Sequence, residues 1–365
     1  MKIKSILYLG ICAVFFWACG KDDNGPEPQP EPNPVQQPEP EPEPEPEQQK
    51  DTVVYVAGVQ LNGYGKAVAT LWTNKVPQTL SDDFSNNIAQ GLEIIGKDRY
   101  LIGYGQSPNR SNVAKLWKNG EETTLFDEDD DSYATAICSY EGVPYVAASY
   151  GGDGIIKAWT QDADKDITDG TFYSFAYDIA VDEAGHPYIV GYVAKPHQIA
   201  TLWQNGTQVE LTDGNFNARA RTIFLADGDV YAGGYEDNST GFSVAKIWKN
   251  GRAVALGDGT QDSYVYSLFV SEKEVYAAGM VYLDSDSAKA TIWKNGIPMA
   301  LETAGYKKSV ISKIKVVGNT VYACGYLESE YGDELKAVVW KNGTLLILDS
   351  PFPKSLASDL EIVIE

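Results

Sequence analysis

The sequence predicts an all-β fold, a seven-bladed β-propeller with four antiparallel strands per blade, and three observations carry that prediction. A Tyr followed three residues later by a small residue recurs at Tyr55, Tyr100, Tyr145, Tyr188, Tyr231, Tyr276 and Tyr322. Each leads to a Trp, at Trp72, Trp117, Trp159, Trp203, Trp248, Trp293 and Trp340. The Trp spacings are 45, 42, 44, 45, 45 and 47 residues, within the period of propeller repeats. Inside each repeat, short β-prone runs are separated by turn residues, and four such runs make one blade.

The chain before the repeats divides in two. Residues 1–18 are expected to be a signal peptide: Lys2 and Lys4 precede an apolar run from Ile6 to Trp17 that is short for a membrane span. The run ends in Phe16-Trp17-Ala18-Cys19, which resembles a bacterial lipobox and implies that Cys19 becomes the lipidated first residue. The following Gly20-Lys21-Asp22-Asp23 resembles the tag that sends some Gram-negative lipoproteins to the outer face of the outer membrane. Residues 19–51 form the second part. From Asn24 to Lys50 the chain is almost wholly Pro, Glu and Gln, with ten of the eighteen prolines. Such a segment buries no apolar surface and favours a stiff polyproline II stalk.

Residues 52–365 hold the repeats, and the fifth shows the unit clearly. Ala220 to Leu225 reads as an inner strand, Asp227-Gly228 as a tight turn and Val230 to Tyr235 as a second strand. Ser243 to Trp248 is the third, and Asn250-Gly251, whose residues both accept positive φ, turns the chain into Arg252 to Leu256. The Asn-Gly turn recurs at Asn119, Asn205, Asn295 and Asn342; the first repeat has Asn74-Lys75, and the third has lost the motif. The first repeat lacks an inner strand, whereas Leu356 to Glu365 is a spare one. The C-terminal strand is therefore expected to complete the first blade and remove an open edge. Lys313 and Lys315 should then lie beside Asp359 and Glu361 as internal ion pairs.

Residues that recur in every repeat serve the blade, and residues that vary are free to serve a ligand. By this reasoning the seven Trp and seven Tyr are structural. Loops from second to third strand, and from each blade to the next, share one face and are long and varied, with many aromatics, carboxylates and amides. At the entry to each inner strand, Gln90, Thr135, Tyr177, Arg221, Tyr266, Ser312 and Ser358 vary completely while the residue before each stays Ala, Val or Ile. Tyr177, Arg221 and Tyr266 come from consecutive repeats. A guanidinium between two phenols suits a carboxylate or a cluster of sugar hydroxyls; the plainer alternative is that the row plugs the top of the channel.

Other chemistry has little footing. His186 and His197 lack metal-ligand or triad company. Asp127 to Asp131 and Asp284-Ser285-Asp286 offer oxygens for calcium but match no EF-hand loop, so no cofactor or metal is expected. Cys138 and Cys324 sit nearly across the ring, too far for a disulfide, and read as small buried residues. The formal net charge of −22 disfavours nucleic acid and anionic membrane as partners.

The repeats, with their Tyr-Xaa-Ala-Gly and Ala-Xaa-Xaa-Trp-Lys-Asn-Gly elements, resemble seven-bladed propellers of surface lipoproteins of Gram-negative bacteria. The resemblance implies a monomeric, lipid-anchored module held at the outer membrane through Cys19, facing the cell exterior. Its expected work is to bind a glycan or a surface protein through Gln90, Thr135, Tyr177, Arg221, Tyr266 and Ser312. A protein-interaction scaffold in an outer-membrane complex is one alternative. A polysaccharide lyase using Tyr177 or Tyr266 with Arg221 is the other.

Overall fold

A computed structural model describes residues 51–365 except 83, 108–110, 127–129 and 300. The expected signal, Cys19, the Pro/Glu stretch and the acids at 127–129 lie outside the described residues. Among the described residues there are 28 strands and no helix. Repeats two to five each form a separate four-stranded antiparallel sheet, in which strands pair in sequence order. The other twelve strands belong to one sheet by hydrogen bonding, but two of its links are single parallel pairs, Ala288↔Lys308 and Leu335↔Lys354. The C-terminal strand Lys354–Ile364 runs antiparallel to Thr52–Leu61 along its whole length.

The fifth repeat is built from Ala218–Ala226, Asp229–Asp237, Ser243–Lys249 and Arg252–Ala255. Its inner strand starts two residues earlier than the sequence predicts, because the ladder resumes beyond an irregularity at Arg221, with Arg219 opposite Tyr235 and Ala218 opposite Glu236. The outer strands of all repeats are short and mostly exposed, as suits an edge.

Burial explains the recurring Trp. Trp248 shares a core cluster with Val190 and Leu202 of the preceding repeat, and Trp117 shares one with Ala57 and Leu71. Trp72 of the first repeat lies with Tyr322 and Val339 of the seventh. The indole nitrogens of Trp203 and Trp248 are buried without a partner. Those of Trp72, Trp117 and Trp340 donate to Asp349, Glu122 and Glu302, so shape and apolar area are common to the position whereas the hydrogen bond varies.

The turn Asn has two functions. In Asn250-Gly251 both residues adopt positive φ, 49° and 78°. The Asn250 side-chain oxygen also accepts a 2.8 Å hydrogen bond from the backbone N–H of Val230, at the start of the second strand. Asn119, Asn295 and Asn342 do the same for Arg99, Val275 and Val321. The first repeat keeps Asn74 for this bond to Val54 although Lys75, at φ 80°, replaces the glycine. The Asn is thus the more demanding half of the motif.

Candidate functional site

Every residue of the variable row is the extra residue of a β-bulge. The register of each inner strand against its partner skips one residue: Gln90, Thr135, Tyr177, Arg221, Tyr266 and Ser312 in repeats two to seven, and Ser358 where Lys354–Ile364 pairs with Thr52–Leu61. A bulge bends the strand and re-aims the extra side chain. All seven side chains line one cavity of about 550 Å³. The cavity lies at the end where inner strands begin and second strands finish, since Asn87 is opposite Gly105.

The same bulge accounts for the small residue three positions after each repeat Tyr. A Cβ at Gly234 would stand 1.9 Å from the carbonyl oxygen of Arg219, and one at Gly279 would stand 1.9 Å from that of Tyr264. Backbone approaches backbone there so closely that a Cβ forces a shift, and the position is glycine in six repeats and Ala148 in the third.

Arg221 is the one charged residue among the described residues that line the cavity. Its guanidinium carbon lies 4.1 Å from the ring centre of Tyr177 and 5.2 Å from that of Tyr266, so two phenol rings pack against the cation. Burial pushes the Tyr266 hydroxyl pKa up, with the Arg221 charge opposing it, and the phenol stays neutral at physiological pH. Arg219 supports the group from behind. It donates to the Gln198 side-chain oxygen at 2.7 Å and to the Tyr177 hydroxyl at 3.1 Å, and it lies over the Tyr192 ring at 5.0 Å. Burial, then the neighbouring Tyr177 and Tyr173, push Tyr192 up to about 12.

The sequence reading missed much of the wall. Tyr133, Phe175 and Val310 line the cavity from two residues before the row, on the same strand face, and Tyr104 and Tyr326 line it from four residues after the repeat Tyr. Tyr104 packs edge-on to Tyr133 at 4.9 Å, and Phe175 lies 5.0 Å from Tyr177, which makes a continuous aromatic wall. Both signals were present in the sequence, as a period of two along the inner strand and as a Tyr repeated at one position of the second strand.

A second cavity of about 260 Å³ is lined by the other end of the inner strands, including Glu93, Asp178, Lys313, Lys315 and Glu361. The expected ion pairs are present. Lys313 lies 3.6 Å from Asp359, and Lys315 contacts Glu361. Asp359 and Asp178 also accept backbone N–H bonds from Leu92 and Ile223 of the following repeats. Cys138 and Cys324 are free; Cys324 is buried, but Cys138 is only partly so, a correction that follows from its place in the wall of this cavity. Among the described residues no group of three or more His, Cys, Asp or Glu is arranged to hold a metal ion. The described loop acids serve turns instead: Asp284 accepts from the backbone of Asp286 and Ser287. His186 pairs with Asp182 in an exposed turn, and His197 is exposed in its loop.

No protein-family model and no curated protein matches the chain. Among solved structures it is similar to puromycin hydrolase, with TM-score 0.52 and 10% identity over 82% of this chain and 53% of that one. It is also similar to a Mycobacterium tuberculosis puromycin-hydrolyzing peptidase, with TM-score 0.52 and 10% identity over 81% and 51%. The chain spans about half the length of these proteins, and the likeness is one of fold.

Proposed function

We propose that residues 52–365 form a seven-bladed β-propeller, closed by Lys354–Ile364, that works as a binding module on the cell surface. The contacts of the inner strands support the closure. Each touches the next along the chain, and the C-terminal strand touches both Lys308–Val317 of the seventh repeat and Asn87–Ile95 of the second. The module is lipid-anchored at Cys19, stands on the Pro/Glu stalk and faces the exterior of the outer membrane; the signal and tag motifs support that part.

The observation that carries the binding reading is the convergence of seven bulged, variable residues on one open cavity, with Arg221 clasped between Tyr177 and Tyr266. The row leaves a cavity of about 550 Å³, a size that holds small ligands, which supports binding over a plugged channel. Aromatic rings beside hydroxyls and an amide match a glycan, whose pyranose faces stack while its hydroxyls are hydrogen-bonded. A protein partner is the second reading, favoured by the exposed Tyr64 and Phe84, which stack at 6.4 Å, and by exposed Tyr331. Lyase chemistry fits less well at Tyr266, whose phenol burial holds in the neutral form rather than as a phenolate base. Binding of the chain to an array of polysaccharides tests the proposal. Saturable binding that Arg221→Ala abolishes is expected; a blank array would move the search to protein partners.

A further inference from the structure

Resting on the glycan reading of this cavity, we infer that its ligand is acidic, a sugar bearing a ring carboxylate, and that Arg221 is the residue that recognises the acid. The inference starts from what Arg221 lacks. Acids outnumber basic residues 51 to 29 in the chain, and the lysines near the strand ends find them readily: Lys115 with Glu122, Lys157 with Asp166, Lys195 with Glu210. Arg219, two residues away, is fully engaged by Gln198, Tyr177 and Tyr192. The Arg221 guanidinium has no ion pair and no hydrogen bond among the described residues, and no carboxylate lines its cavity. An unpaired cation is left inside a strongly acidic protein.

Its surroundings determine what it can accept. The Tyr177 and Tyr266 rings pack against the guanidinium and leave its N–H donors, which point along its edge, for a ligand. An edge fork pairs with a planar carboxylate through two parallel hydrogen bonds. Gln90, Thr135, Ser312 and Ser358, from the other repeats, offer neutral groups for ring hydroxyls. A charged end and a hydroxyl end in one cavity describe a uronic acid, and the lack of any acid in the wall spares that ligand like-charge repulsion.

The experiment is calorimetric titration of the full chain with galacturonate, glucuronate and mannuronate oligosaccharides, each beside its neutral methyl ester and its neutral parent sugar. At least one acid is expected to bind about tenfold or more tightly than its ester, a difference of about 1.4 kcal/mol. In Arg221→Gln the acid should fall to the level of the ester while ester binding persists. Arg221→Lys, which keeps the charge and loses the fork, should fall between the two and guards against misfolding of the Gln variant. If neutral sugars bind as well as acids, the acidic ligand is wrong and the glycan site stands. If no sugar of either kind binds, the glycan reading fails and this inference with it.

Discussion

Arg219 and Arg221 differ by two positions in one strand and have opposite fates. Both side chains leave the strand on the same face, yet Arg219 is held by an amide, a phenol hydroxyl and a ring, whereas Arg221 has only ring faces. Arg219 is therefore a positioning residue: it holds Tyr177, which in turn forms one side of the Arg221 clasp. Losing its bond to the Tyr177 hydroxyl should remove about 0.5–1.5 kcal/mol of ordering from that phenol. We expect Arg219→Gln to weaken ligand binding several-fold, less than Arg221→Gln does, and to leave the preference for acid over ester intact. Calorimetry with the same sugars measures both quantities. Loss of the acid preference in Arg219→Gln would show that this guanidinium, not its neighbour, meets the ligand.

At the scale of strands and turns, each recurring feature of the sequence has a local physical cause. The turn Asn250 fixes a positive φ and ties down the start of the second strand, whereas glycine in its place would keep only the first property. Asn250→Gly should thus lower stability by about 1 kcal/mol, read as a smaller urea midpoint with an unchanged slope. Gly234 stands where a Cβ meets the Arg219 carbonyl, and Gly234→Ala should lower stability by about 1–3 kcal/mol and displace Arg221, weakening binding as well. The effect is bounded by the third repeat, which places Ala148 at the same point. These features also show what a single sequence can reveal. Repeats compared with one another exposed the row of seven cavity-lining positions, because these vary where the blade's own residues do not. The bulges were not legible, since an inserted residue leaves no mark on a strand that already carries small residues on both sides. Tyr133, Phe175 and Arg219 lie outside the predicted strands for that reason: the sequence places each start one residue before the row, and the structure carries the strand further back.

For the molecule as a whole, the second cavity sets how stability should depend on pH. Its buried carboxyls are shifted toward the neutral form: burial raises Glu93 and Asp178, and it pushes Glu361 from 4.5 to about 7 even with the Lys315 ammonium beside it. A carboxyl whose pKa is higher in the folded protein binds more protons there than in the unfolded chain between the two values, so stability falls as pH rises through that window. Exposed acids act in the opposite sense. Hydrogen bonds from Ser85 hold Asp82 below its ordinary value, and Lys249 does so for Asp229, so their contributions are lost in acid. The two sets together place the stability maximum at about pH 5, between acid loss and alkaline loss. Urea unfolding from pH 3 to 9 should show the midpoint declining from about pH 5 to 7 in the native chain. Glu361→Gln carries a permanently neutral group at the same place and should flatten that decline while leaving the acid limb unchanged. A native profile that is level across the neutral range, or one that Glu361→Gln leaves as steep as before, would mean that Glu361 stays ionised against Lys315. The seam between the C-terminal strand and the seventh repeat would then be a fixed ion pair rather than a titrating one.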